Sequence, residues 1–308
     1  MELLILGAGG IGGYLTSRMQ QAGFSPRLLV RPNRADQLRQ TGLRLTSPLG
    51  DWAGMPIIES DPSALPKADF IFLTCKSYDL ETALDAIAAA VNEKTIIVPF
   101  LNGVRHIEII KARLPHAIVW GGVAHLGVRV EPDGSICHFN DLNKFLIGPV
   151  DVSSSDERAR VLVERLAEGP TEFTYKENIQ QDMWDKLVFL SALAGMTCLM
   201  RADIGTILAT NQGEDLILQL LDEASCIAEA EGRTTTVDAM KAYQAQLLDR
   251  SSRSTASMLR DMINGKQTEA DSILGDMSER AARHALRVPL LRTCLSHLQA
   301  YELAREPI

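Results

Sequence analysis

The sequence predicts an α/β fold: an N-terminal doubly wound parallel sheet followed by an all-helical C-terminal domain. Three observations predict it. Residues 3–13, Leu-Leu-Ile-Leu-Gly-Ala-Gly-Gly-Ile-Gly-Gly, run an apolar strand directly into a G-x-G-x-x-G turn. Apolar strand candidates then alternate with helical stretches through the first half, the βαβ rhythm of such a sheet. From Asn178 onward the strand signals stop and helical periodicity takes over.

The opening run sets the first element and its chemistry. Leu3–Leu6 reads as a buried parallel strand. Gly7 makes the turn, Gly9 lets a pyrophosphate approach the backbone, and Gly12 lets the next helix lie close to the strand. The amphipathic stretch carrying Tyr14, Leu15 and Met19 is that helix. The N-terminal turn that includes Ala8, Gly10 and Ile11 offers unpaired N–H groups to phosphate charge. This is a Rossmann-type dinucleotide site; the alternative is a purely structural turn. The second strand, Arg27–Val30, ends in Arg31-Pro32-Asn33-Arg34. Proteins that prefer NAD usually place Asp or Glu at this tip for the ribose 2′-hydroxyl. No acid stands here. Arg31 and Arg34 suit a 2′-phosphate instead, so the expected cofactor is NADPH/NADP. The alternative is a solvated basic loop.

Further strands are expected at Phe70–Thr74, Thr95–Pro99 and Ile118–Gly122, with a helix at Tyr78–Val91. Val128–Val130 and Ser135–Phe139 flank Pro132-Asp133-Gly134 and read as a hairpin, with Lys144–Ile147 as a further strand. Ser153–Asp156 offers caps for a helix over Arg158–Glu168, and Thr171–Tyr175 reads as a last strand. The boundary falls near Glu177, giving domains 1–177 and 178–308. In the second, Gly213–Glu231 aligns Ile217, Leu220, Leu221, Ala224, Ile227 and Ala228 on one stripe, with Gly232 as the stop. Val237–Leu248 and Glu269–His284 are also helical.

Composition narrows the functional classes. At 308 residues two domains are expected. A hydrophobic content of 46% and a charged content of 23% describe an ordinary globular protein. The net charge of −8 argues against a nucleic-acid surface, so Arg31 and Arg34 are local exceptions. The five cysteines are scattered without C-x-x-C, and the six histidines show no H-E-x-x-H, so no metal site is expected. No basic leader precedes the first apolar run, and no apolar stretch of membrane-spanning length is expected. The expected location is the cytoplasm, with no membrane partner.

The ordered set of short motifs is more specific than any one of them. Thr74-Cys75-Lys76, Leu101-Asn102-Gly103, Trp184-Asp185-Lys186-Leu187, and Ser257-Met258-Leu259 with Thr268-Glu269 follow the glycine turn and Arg31. Together they resemble the ketopantoate reductase (2-dehydropantoate 2-reductase) family over nearly the whole chain. The resemblance implies hydride transfer from NADPH to the ketone of a 2-oxo acid, such as ketopantoate to pantoate. It implies that Lys186 protonates the carbonyl oxygen. By the same resemblance Lys76, Asn102, the backbone of Gly127 and Glu269 contact the cofactor, while Asn102, Lys186 and Ser257 contact the substrate. A homodimer is a possible assembly. Unlike the family, this chain has Leu190 and Ala194 four and eight residues after the lysine, and Ile204 before Gly205, where asparagines are expected. Ser191, Thr197 and Ser254 are the nearby polar candidates to compensate. Three alternatives stand beside the reductase: a paralogue reducing a more apolar carbonyl, an NADPH-binding sensor without catalysis, and a 6-phosphogluconate-type dehydrogenase. Lys186, Lys76 and Glu269 argue against the sensor, and the Ser257–Glu269 pair against the last.

Overall fold

Strand runs such as Leu-Leu-Ile-Leu and Phe-Ile-Phe-Leu are apolar at every position, which suits strands covered on both faces. In the computed structural model, which describes residues 1–151 and 154–305, the chain forms two compact units. One comprises Met1–Leu101 and His106–Gln180; the other comprises Asn102–Arg105 and the chain from Gln181 onward.

The first unit is a ten-stranded mixed sheet. Its strands are β1 (Leu3–Leu6), β2 (Arg27–Leu29), β3 (Leu43–Thr46), β4 (Trp52–Gly54), β5 (Ile57–Glu59), β6 (Phe70–Leu73), β7 (Ile96–Pro99), β8 (Ile118–Val130), β9 (Ile136–Pro149) and β10 (Glu172–Tyr175). Its helices are α1 (Gly10–Gln21), α2 (Pro32–Thr41), α3 (Leu80–Ile87), α4 (Arg105–Arg113, its first residue in the second unit) and α5 (Glu157–Ala167). The strand order is β4-β3-β9-β8-β7-β6-β1-β2-β5, with β10 beside β9. β1 pairs in parallel with both β2 and β6, so their C-terminal ends open on one edge. Successive residues of each strand enter opposite cores. Leu3, Ile5, Phe70 and Phe72 lie in one, and Leu4, Ile71 and Leu73 in the other. Each such side chain contributes about 1.5–3 kcal/mol when fully buried.

Several expectations are corrected here. Lys144–Ile147 is not a separate strand: it continues β9, which pairs antiparallel with β8 on either side of an irregularity. The expected strands leave Asn140–Asn143 unassigned between them. The sheet absorbs this run in an irregularity between Leu126 and Val128, where the Asn140 side chain accepts a hydrogen bond from the Gly127 N–H at 2.7 Å. The helix expected at Tyr78–Val91 is α3 flanked by 3₁₀ turns at Ser77–Asp79 and Ala88–Ala90. β3, β4 and β5, only three or four residues each, carried no usable sequence signal. Ser153 lies outside the described residues, whereas Asp156 caps α5 by accepting from the Arg158 N–H.

The second unit is helical: α6 (Gln180–Met200, its first residue in the first unit), α7 (Ile204–Leu208), α8 (Gly213–Ala230), α9 (Val237–Leu247), α10 (Ser257–Ile263), α11 (Asp276–Arg283) and α12 (Pro289–Arg305). The helix expected from Glu269 opens instead with a π-helical segment, Asp271–Gly275, before α11. Contrary to expectation, one stretch does reach membrane-spanning length. α6 is long and apolar enough to cross a bilayer, but 67% of its most apolar window is buried inside the protein, as in a core helix. A buried charge cluster fastens its start. Arg280, 4% exposed, donates to Asp276 at 3.0 Å and to Glu231 at 2.5 Å, and its guanidinium lies 5.1 Å from the Trp184 ring centroid.

Candidate active site

The turn after β1 is built from glycines with different tasks. Gly7 has φ +101°, a conformation that favours glycine, and its N–H donates to the Leu29 carbonyl at 2.9 Å. A Cβ on Gly12 would lie 2.0 Å from the Gly7 oxygen and 2.3 Å from Thr74 Oγ1. Thr74 itself donates to the Leu6 carbonyl at 2.8 Å. Gly10 lies against Val128, where a Cβ would meet Cγ2 at 2.9 Å. At Gly9 an added Cβ would meet nothing within 4 Å, and no side chain caps the helix that begins there. An open glycine beside uncapped N–H groups fits an approaching pyrophosphate. Ala8 and Ile11 complete this turn.

Three sequence-predicted side chains share this edge of the first unit. Arg31 precedes α2, 77% exposed, and donates to Asp79 Oδ1 at 2.8 Å. Arg34 is half-buried and donates to the carbonyls of Gly134 at 2.7 Å and Ala8 at 3.4 Å, tying the glycine turn to the β8–β9 hairpin. Lys76 follows β6, where its carbonyl accepts from the Asp79 N–H at 3.0 Å. Gly127 lies in β8 with its N–H already donated to Asn140. A ligand contact through that amide would have to displace Asn140.

The second unit gathers a different set. Asn102 precedes Gly103, whose φ is +89° and whose added Cβ would lie 2.6 Å from the Ser272 carbonyl oxygen. Arg105 pairs with Glu279 of α11 at 2.7 Å, so this short segment packs against the helical stretch that follows Glu269. Glu269 is 6% exposed. The loop before it is anchored by α12: the Thr268 N–H donates to Glu302 at 2.6 Å, and the Tyr301 hydroxyl donates to the Lys266 carbonyl at 2.8 Å. α12 and Glu302 escaped sequence reasoning, because nothing local links them to residue 269.

Lys186 projects from α6 with partial exposure. Burial pushes its ammonium down to about 8, and the Glu269 carboxylate opposes part of that shift. Burial also raises the neighbouring Asp185 carboxyl. Leu190, one turn further, is partly exposed. Ala194 and Ile204 are almost wholly inaccessible, at 1% and 0% exposure. Ser191 and Thr197 do not compensate for the missing amides. Both are buried, and their hydroxyls donate to the carbonyls of Leu187 and Leu193 within their own helix. Ser254 is exposed on the loop before α10. Ser257 is exposed as the first residue of α10, and the preceding Ala256 N–H donates to Thr197 Oγ1 at 3.4 Å.

Similar proteins share this fold. Residues 3–151 match the ketopantoate reductase PanE/ApbA family and residues 178–302 its C-terminal part. An uncharacterized oxidoreductase, YkpB, of Bacillus subtilis is 32% identical over 302 residues, covering 98% of this chain and 99% of the relative. A PanE/ApbA family ketopantoate reductase from Ralstonia eutropha superposes with a TM-score of 0.90 at 23% identity, covering 99% of both chains. A D-mandelate dehydrogenase solved with NADH and anilino(oxo)acetate superposes with a TM-score of 0.88 at 20% identity, again over 99% of both chains. The chain belongs to the ketopantoate reductase family, oxidoreductases that act on a CH–OH or ketone group.

Proposed function

We propose that this chain reduces 2-oxo acids with NADPH, using Lys186 as the proton donor, and that its preferred substrate is more apolar than ketopantoate. The proposal is carried by Lys186 on α6, which matches the proton-donating lysine of the family and faces the charge of the buried Glu269, with burial pushing its ammonium down to about 8. A general acid is most effective when its pKa lies near the working pH, and an ordinary lysine at about 10.4 is too basic. When bound, the dinucleotide supplies a hydride to the carbonyl carbon. The glycine turn, Gly7 to Gly12, would hold the pyrophosphate and Arg31 the 2′-phosphate; the family resemblance assigns further cofactor contacts to Lys76, Asn102 and Glu269. As negative charge develops on the carbonyl oxygen, Lys186 donates an ammonium proton to it. The oxygen becomes a hydroxyl and the lysine a neutral amine. Glu269 favours the charged form of Lys186 and so helps to reload it. Ser257 is a candidate partner for the substrate carboxylate.

The substrate preference rests on what borders the lysine. Leu190 is partly exposed there, and the hydroxyls of Ser191 and Thr197 are committed to their own helix. A buried substrate hydroxyl left without a partner costs about 1–3 kcal/mol, roughly tenfold to hundredfold in kcat/KM. The D-mandelate dehydrogenase that holds anilino(oxo)acetate supports an aryl or alkyl oxo acid as compatible with this fold. The test is kcat/KM for NADPH oxidation with ketopantoate, 3-methyl-2-oxobutanoate and benzoylformate. One of the apolar acids should exceed ketopantoate by about tenfold or more. A ketopantoate value of about 10⁵ M⁻¹s⁻¹ or higher, well above the others, would overturn the preference. Failure to oxidise NADPH with any 2-oxo acid would overturn the reductase.

A further inference from the structure

The tip of β2 lacks an acid in sequence but not in space. Arg31 stands two residues past Leu29, where dinucleotide-binding proteins read the ribose 2′ position. Its guanidinium donates to the Asp79 carboxylate at 2.8 Å. Asp79 closes the 3₁₀ turn after β6, 48 residues along the chain. Because β2 and β6 flank β1, this ion pair spans the edge onto which the Gly7–Gly12 turn opens. Arg34 is committed to the carbonyls of Ala8 and Gly134, which leaves Arg31 as the more exposed of the two arginines at this edge.

We infer that Asp79 sets the cofactor preference: it competes with a 2′-phosphate for Arg31 and offers a carboxylate to a ribose 2′-hydroxyl, so that NADH is accepted beside NADPH. This rests on the dinucleotide reading of the glycine turn. A phosphate dianion must take over the Arg31 fork and sit beside a like charge. A hydroxyl meets neither difficulty and can donate to Asp79. The pair is solvent-exposed and therefore weak, so Arg31 can leave it, and the effect is a preference and not an exclusion.

Fluorescence titration of NADPH and NADH on the wild type, Asp79→Asn, Arg31→Ala and the double variant tests this. In the wild type the two affinities should lie within about tenfold, NADPH being the tighter. Asp79→Asn should tighten NADPH by about threefold to fivefold and weaken NADH slightly. In the Arg31→Ala background the same change should lose most of its effect on NADPH, because Asp79 acts on the phosphate largely through Arg31. Circular dichroism checks that each variant is folded. If both cofactors bind but Asp79→Asn leaves their ratio within twofold, the role of Asp79 is refuted while the dinucleotide site stands. A folded wild type that binds neither cofactor refutes both.

Discussion

On the proposed reading, the working groups at the turn after β1 are main-chain atoms: an open glycine, uncapped N–H groups and a backbone held by Thr74. Around Lys186 they are side chains, a desolvated ammonium and a buried carboxylate, drawn from positions 83 residues apart (269 − 186). A dinucleotide phosphate carries its charge permanently, so fixed backbone dipoles serve it well. A carbonyl oxygen gains charge only during reaction, so it needs a group whose protonation can change. Burial supplies that property: moving the lysine toward neutrality costs the folded state some favourable charge hydration and yields an acid matched to physiological pH.

The sharpest break in that comparison is Lys186→Ala. It should lower kcat by about 10²-fold or more with the best 2-oxo acid while leaving NADPH affinity nearly unchanged. A variant that keeps most of its kcat would assign the proton to another group. A paired substitution probes the backbone side. Gly12→Ala forces a Cβ to within 2.0 Å of the Gly7 oxygen and should destabilise the protein by about 1–3 kcal/mol in urea denaturation, weakening NADPH as well. Gly9→Ala meets no protein atom within 4 Å. Its stability should stay close to that of the wild type, while NADPH binding weakens about tenfold because the side chain stands where phosphate approaches. Equal effects of the two glycines on stability would erase the distinction drawn here.

The smallest effect concerns pH. The proposed mechanism requires the acid form of Lys186, and burial pushes that ammonium down to about 8, so kcat should fall tenfold per pH unit above that point. Glu269 raises the lysine pKa, so Glu269→Gln should move this falling limb to lower pH by up to about one unit. A limb that stays in place or moves upward would separate Glu269 from Lys186. KM for NADPH, measured in parallel, reports any cofactor contact made by Glu269.

Legibility followed sequence distance. The Gly7–Gly12 turn, β1 and α1 could be read because the strand, turn and helix follow one another within twenty residues, and each glycine answers a local constraint. The long stripe of α8 was visible for the same reason. β3, β4 and β5 were not, since three or four residues carry too little periodicity to stand out. The run Asn140–Asn143 separates two expected strands, whereas in the sheet β9 continues through it at an irregularity where the Asn140 side chain accepts from the Gly127 N–H. At the candidate site, the positions of Lys186 and Glu269 came from motif order. Their electrostatic relation came only from packing.

The sequence by itself determined the α/β and helical organisation, the glycine turn after β1, and the family to which the chain belongs. Those features rest on short-range chemistry: apolar periodicity, glycine conformational freedom and helix-terminal N–H groups. Tertiary structure alone decided that Asp79 meets Arg31, that Ser191 and Thr197 bond to their own helix, that Ala194 and Ile204 are sealed, and that burial brings Lys186 toward neutrality. Desolvation and ion pairing depend on which distant residues exclude water from a group. That is a property of the packed chain and not of any segment of it.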